Sequence, residues 1–278
     1  MTNLSNPKND WEGFGPEKRN KTEKPELIEG MKKLTAYLET EAKSMQAEGI
    51  PVLNDCRINM DAFASLYSPK DLAIEKQRLL RMQKEMAEKD EHQDNFGEKL
   101  EMLKTAVFNK FLGQKFIVAR TSLADDIDRG VDNVILERQT GNVVCAFDEV
   151  TDIVGKTYQD KAAKIMERNV ESAGASLKYG LGIDEKTKKV IPQSVRNIPI
   201  FYLALPGQYV KNAIQQFEPD VKNEQETKLL SYFLSSLQTQ IKALDLRMLS
   251  VHPEVRTKIE KFDVTLRTLV KEGVGQKR

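Results

Sequence analysis

Cysteine, histidine and tryptophan are scarce in this chain of 278 residues, which has two, two and one of them. Cys56 and Cys145 stand far apart among apolar residues without a CxxC spacing, which argues against a disulfide framework or a structural zinc and predicts free thiols in a reducing cytosol. His92 and His252 lie on separate charged segments, so neither a dyad nor a zinc pair is indicated, and no serine has the GxSxG setting of a hydrolase nucleophile. The glycines of "GASLKYGLG" match neither the phosphate loop, which needs a GK[ST] end, nor the dinucleotide fingerprint. No apolar run approaches the ~20 residues that span a bilayer. The start "MTNLSNPKNDWEGFGPEKRNKTEKPE" lacks the apolar core of a secretory signal, so a cytoplasmic location without membrane contact is expected. Charge of one sign is also missing: Lys+Arg 43 against Asp+Glu 42 leaves +1, and attraction to nucleic acid would have to come from a local patch.

What remains is an ordinary globular composition, 40% hydrophobic and 31% charged. Residues 1–24 have no apolar period and read as a flexible arm, with Trp11 and Phe14 as its aromatic residues. A helical extension over 25–95 follows. Leu27, Ile28, Met31, Leu34 and Leu38 set a first helix. A second begins at Ser68-Pro69, where serine caps free amides and proline loses nothing, and Leu72, Leu79, Leu80, Met82 and Met86 mark its apolar face. After a break at Asn95-Phe96-Gly97, a helix through Leu100, Leu103, Val107, Phe108, Phe111 and Leu112 opens an α/β core over 96–217. There "KFIVARTS" and "VDNVILE" read as strands, "RQTGN" as a hairpin turn at Gly141, and "VVCAF" as a buried strand. "VGKTYQDKAAKIMERNVESAG" reads as a helix, and "SLKYGLGI" and "IPIFYLAL" as further strands. The expected fold class is α/β (α+β), a mixed central sheet flanked by helices. A C-terminal helical hairpin over 218–278 completes the chain, its two helices separated by Pro253.

Acidic residues gather around the predicted hairpin: Asp125, Asp126, Asp128, Asp132, then Asp148, Glu149 and Asp152. "DDIDRG" has the alternating acids of a calcium loop but lacks its length and terminal Glu. A carboxylate on a strand written for burial is costly unless it is paired, hydrogen-bonded or bound to a cation. If Gly141 makes the two strands antiparallel neighbours, the start of one meets the end of the other and Asp132 comes beside Asp148. Two carboxylates held together repel unless a proton or cation intervenes, and hard oxygen donors of this kind suit Mg²⁺ or Mn²⁺.

With these residues in place the segment 96–217 resembles the PD-(D/E)XK nuclease superfamily: a helical Glu before the sheet, an Asp on the second strand, a D/E-x-K pair ending the next strand, then helix and strand. The resemblance implies a restriction-endonuclease-like core. It assigns Glu98, or Glu101 as the alternative, in "FGEKLEMLKTAVFNKF", Asp132 in "DDIDRGVDNVI" and Asp148 in "VVCAFDEV". Asp132 and Asp148, with Glu149, would then bind Mg²⁺ or Mn²⁺. Where the family carries its lysine this chain has Val150, and a register through Glu149 finds Thr151. That ammonium stabilises charge developing on a scissile phosphate, so a replacement is expected from the next helix, at Lys156 or Lys161, with Gln159 as a further polar candidate. DNA or RNA would be the partner, and Lys164, Arg168, Lys178, Lys188 and Lys189 would follow its backbone. The rival expectation is a catalytically inactive nuclease-fold scaffold, whose terminal helices serve a protein partner or homo-oligomer. Ion pairing of Asp132 or Asp148 to Arg120 or Arg138 would favour it.

Overall fold

The β-branched runs flanking Gly141, which takes φ +58, form an antiparallel pair. Strand β2 (Asn133–Glu137) and strand β3 (Val143–Val150) run from Asn133 opposite Phe147 to Leu136 opposite Val143, with an irregularity between Ile135 and Leu136. The structure, a computed structural model, describes residues 25–89, 96–151, 153, 155–187, 189–245 and 247–271. The arm with Trp11 and Phe14, His92, the Asn95 break, Asp152 and Lys188 lie outside them.

Strand β1 (Phe116–Arg120) pairs antiparallel with β2, and β6 (Ile200–Ala204) pairs parallel with β3, giving a mixed sheet in the order β1-β2-β3-β6. A parallel pair cannot be closed by a tight turn. The return is made by helix α5 (Lys156–Glu171) and a separate antiparallel pair, β4 (Ala175–Ile183) with β5 (Val190–Ile198). The stretch "VRNIPIFYLAL" is therefore two strands in two sheets. Pro199 divides them: it has no N–H for a ladder, and its carbonyl accepts from Ala146 N at 2.8 Å. The outer edge of β6 is covered by side chains. Asn169 bonds both the N–H and the C=O of Ile200, Gln240 does the same for Tyr202, and the Tyr232 hydroxyl donates to the Ala204 carbonyl.

Around the sheet stand α1 (Pro25–Ala47), α2 (Pro69–Lys89), α3 (Phe96–Leu112), α4 (Leu123–Arg129), α6 (Gly207–Gln215), α7 (Glu224–Asp245) and α8 (Pro253–Lys271). Gly30 of α1 lets that helix meet α6: a Cβ there would lie 2.2 Å from the Ile214 carbonyl oxygen. Ser68 caps α2 as its sequence predicts, accepting from Asp71 N at 3.1 Å. The predicted apolar face of α2 is corrected, because only Leu72 and Leu79 are buried, while Leu80 and Met86 are 61% and 53% exposed. One apolar core runs from Leu27 through Phe108, Phe147 and Phe233 to Leu269. The segment after α1 also reaches the sheet: Ile58 N donates to Arg120 O and Arg120 N to Cys56 O, extending the β1 edge.

The acidic run "LADDIDR" forms the short helix α4, which sequence reading leaves undivided from its surroundings. Ser122 caps it, and Gly130 ends it in the left-handed region at φ +55. Its fully buried Asp125 has a structural task. Between Leu177 and Gly180, β4 carries one residue more than β5, a bulge that removes amides from the ladder. The Asp125 carboxylate accepts both of them, from Lys178 N at 2.7 Å and Tyr179 N at 2.9 Å, and also the Ser122 hydroxyl. Asp125→Ala should therefore destabilise the protein by about 3 kcal/mol, since buried donors lose a charged acceptor. Asp125→Asn, which keeps one acceptor oxygen, should lose less, and urea unfolding of the two variants checks the order.

Candidate functional site

The register of β2 against β3 determines which acids meet. Asp132 N donates to Phe147 O at 2.8 Å, and the Asp132 Oδ2 accepts Glu149 N–H at 2.6 Å. Because Asn133 lies opposite Phe147, Asp132 falls opposite Asp148 at the end of the pair. Alternation along β3 then sends Phe147 and Glu149 to the face covered by α3, where Phe108 meets Phe147 edge to face at 5.8 Å. Asp148 goes to the opposite face, toward α5.

On the α3 face Glu149 forms an ion pair with Lys104, the two side chains being 2% and 0% exposed. The Lys104 ammonium also lies 5.0 Å above the Phe147 ring. Loss of hydration lowers the Lys104 pKa to about 7, against the opposing fields of Asp132, Glu101 and Asp148. One turn earlier on α3, Glu101 is held by Arg120 Nη2 at 2.8 Å and by Arg57 at 3.4 Å. Burial pushes the Glu101 carboxyl upward, but its hydrogen bond to Arg120 and the neighbouring cations outweigh that and hold it below the usual range. Arg57 reaches in from the segment after α1 to bind Asp126 at 3.1 Å, and Arg120 binds Asp55 at 2.7 Å.

On the α5 face the Lys161 ammonium lies 2.5 Å from Asp148 Oδ1 and also donates to the Glu149 carbonyl. Arg168, two turns along α5, points at the Gly130 carbonyl and lies in the field of Asp148. Asp132 sits between the two faces. Desolvation drives its pKa well above the ordinary carboxylate value, and the charges of Asp148, Glu101 and Asp126 push it in the same direction, with Lys104 opposing. Around this sheet end Asp55, Glu98, Glu101, Asp126, Asp132, Asp148 and Glu149 outnumber Arg57, Lys104, Arg120, Lys161 and Arg168 among the described residues.

Asp132, Asp148 and Lys161, all candidates from the sequence, thus meet at one sheet end; Glu149, expected beside them as a metal ligand, is instead turned to the α3 face and paired with Lys104. Glu98 stands exposed on the first turn of α3, 3.9 Å from Arg120. Lys156 and Gln159 are exposed at the start of α5, and Lys164 is exposed further along it. Lys178 lies apart, bound to Glu75 at 2.6 Å and set over the rings of Tyr67 and Tyr179. Lys189 is exposed at the β4/β5 turn. Neither Arg120 nor Arg138 pairs with Asp132 or Asp148; Arg138 binds Glu48 and the Gly113 carbonyl. Among the described residues no group of three or more His, Cys, Asp or Glu side chains is arranged to hold a metal ion. Sequence reading missed Lys104 and Arg57. For Lys104 a signal existed, since it falls on the apolar stripe of α3 between Leu103 and Val107; for Arg57 there was none.

No family model, curated protein or solved structure matches this chain.

Two outcomes follow from this electrostatic arrangement. Lys104→Met should cost about 3–5 kcal/mol by leaving Glu149 charged and unpaired, whereas Lys104→Met with Glu149→Leu should recover most of the loss; chemical denaturation of the single and double variants measures both. A carboxyl whose folded pKa is raised contributes stability at low pH that is lost as pH rises through that pKa. Asp132→Asn keeps an oxygen for Glu149 N–H and cannot ionise, so it should unfold a few degrees above wild type at pH 8. The gain should vanish as pH falls to about 4, near the ordinary Asp value.

Proposed function

We propose that this protein is a divalent-cation-dependent phosphodiesterase acting on nucleic acid, a divergent nuclease of the PD-(D/E)XK type. The observation that carries the reading is the facing of Asp132 and Asp148 across the β2/β3 pair with an ammonium, Lys161, on the second of them. The order α3, β1, α4, β2, β3, α5, β4, β5, β6, with the acids at the start of β2 and the end of β3, supports a restriction-endonuclease-like core into which α4 and the separate β4/β5 pair are inserted. Asp132 and Asp148 are hard oxygen donors, and the raised Asp132 pKa marks a place where added positive charge would be favourable. Two carboxylates suffice for Mg²⁺ or Mn²⁺, which keep waters and substrate phosphate oxygens as their other ligands. Such an ion would supply Lewis acidity toward a phosphoryl oxygen and a more acidic bound water.

The chain's own residues then divide the remaining work. Lys161 replaces the positive charge that Val150 lacks, stabilising negative charge that develops on the phosphate. The Glu149 amide fixes Asp132, and the Lys104–Glu149 pair below holds that end of β3 in place. Glu101, clamped by Arg120 and Arg57, contributes field and not a free carboxylate. Lys164 and Arg168 on α5 extend the positive charge along a phosphate backbone.

A second reading, an inactive scaffold, is favoured by the same ion pairs, because Lys161–Asp148 and Lys104–Glu149 are already satisfied within the chain. Incubation of DNA and RNA with Mg²⁺ or Mn²⁺ separates the two. Cleavage should require the ion and fall at least a hundredfold in Asp132→Ala, on the order of the losses seen when transition-state electrostatics are removed. Equal activity of variant and wild type would remove the assignment.

A further inference from the structure

Three of the chain's tyrosines converge beside Asp148 and Lys161. In the parallel pair of β3 and β6, Tyr202 lies directly opposite Asp148. Tyr158, one turn before Lys161 on α5, brings its hydroxyl to 3.2 Å from that of Tyr202, and their rings meet edge to face at 5.6 Å and 87°. Tyr232 of α7 closes the group from the other side of the β6 edge, with its hydroxyl on the Ala204 carbonyl at 3.0 Å. All three rings are half-buried, and the Tyr202 and Tyr232 hydroxyls are driven toward weaker acidity by burial.

Tyr202 and Tyr232 pack against the apolar core, with part of each side chain left at the surface. Tyrosines that keep one side open to solvent at the lip of a charged site offer rigid π surface with little conformational entropy to lose. An edge-to-face pair also leaves the faces of its edge-on ring uncovered by its mate. Lys161 stands one helical turn along from Tyr158, so a phosphate held by the ammonium would have its attached nucleoside within reach of the rings.

We propose that Tyr158 and Tyr202 form a stacking subsite for an unpaired nucleobase next to the phosphate bound at Asp148 and Lys161, making single-stranded nucleic acid the preferred substrate. This rests on the phosphodiesterase reading for the role of Lys161. A base inside a duplex cannot reach a side-chain ring without being unstacked, whereas in a single strand every base presents a π face.

Binding measured with Ca²⁺ in place of Mg²⁺ or Mn²⁺, an ion that takes the same oxygen ligands with a looser geometry, keeps the test apart from cleavage. Fluorescence anisotropy would compare labelled single-stranded DNA, single-stranded RNA and duplex DNA of the same length on wild type, Tyr158→Phe and Tyr158→Ala. Wild type should bind the single strands more tightly than the duplex. Tyr158→Ala should lose about tenfold on single strands and little on duplex, and Tyr158→Phe, which keeps the ring, should retain wild-type affinity. Near-ultraviolet circular dichroism would establish that Tyr158→Ala is folded; if it is not, Tyr158→Leu, apolar and without a ring, takes its place with the same expected loss. Equal loss on duplex and single strands, or none on either, would overturn the subsite. Cleavage that depends on Asp132 together with unchanged binding by Tyr158→Ala would sink the subsite alone. Tyr158-dependent binding without any cleavage would keep the subsite and remove the nuclease.

Discussion

The double link between Asp132 and β3 sets the chemistry of this protein. Its amide donates to Phe147, its carboxylate accepts from Glu149, and together these lock the acidic end of β3 against the start of β2. Strand side chains alternate with a period of two, so a slip of one residue would exchange the faces of Asp148 and Glu149. The first would then be buried against α3, and the second would face α5. Neither Lys104 nor Lys161 would find its present partner.

Around that register the chain compensates its charges in layers. The innermost pair, Lys104 with Glu149, is shut off from water, and the next, Glu101 with Arg120 and Arg57, is nearly so. Asp148 and Lys161 retain contact with solvent at 13% and 32% exposure. Buried ion pairs rarely add net stability compared with apolar packing, so this sheet end departs from the apolar filling of the rest of the core. Asp132 is the least compensated member: it has a backbone donor but no ion pair among the described residues, and like charges surround it.

The most legible features were those written in local periodicity. The α3 stripe, the turn at Gly141 and the helices on either side of Pro253 all form as the sequence predicts, and Phe108, Phe147, Phe233 and Phe262 are buried where their spacing puts them. The nearness of Asp132 to Asp148 was legible too, because a hairpin relates residues by counting outward from its turn. Other features were hidden. Leu80 and Met86 carry the helical period yet remain exposed, since no element among the described residues covers that part of α2. The division of "VRNIPIFYLAL" at Pro199 and the helix at "LADDIDR" depend on partners distant in sequence: β3 for the first, and the bulged amides of β4 for the second.

By itself, then, the sequence determined most of the secondary elements, though not α4 or the break at Pro199, and the pairing of β2 with β3, because hydrogen bonds and apolar spacing over a few residues suffice for these. Only the tertiary structure decided which cations meet the acids. Lys104 and Lys161 come from helices on opposite faces of the sheet, Arg57 from a segment tied to the β1 edge, and Tyr202 from a strand returned to β3 by a long crossover. Contacts between such distant segments follow from how layers pack, and packing leaves no period in the chain to be read.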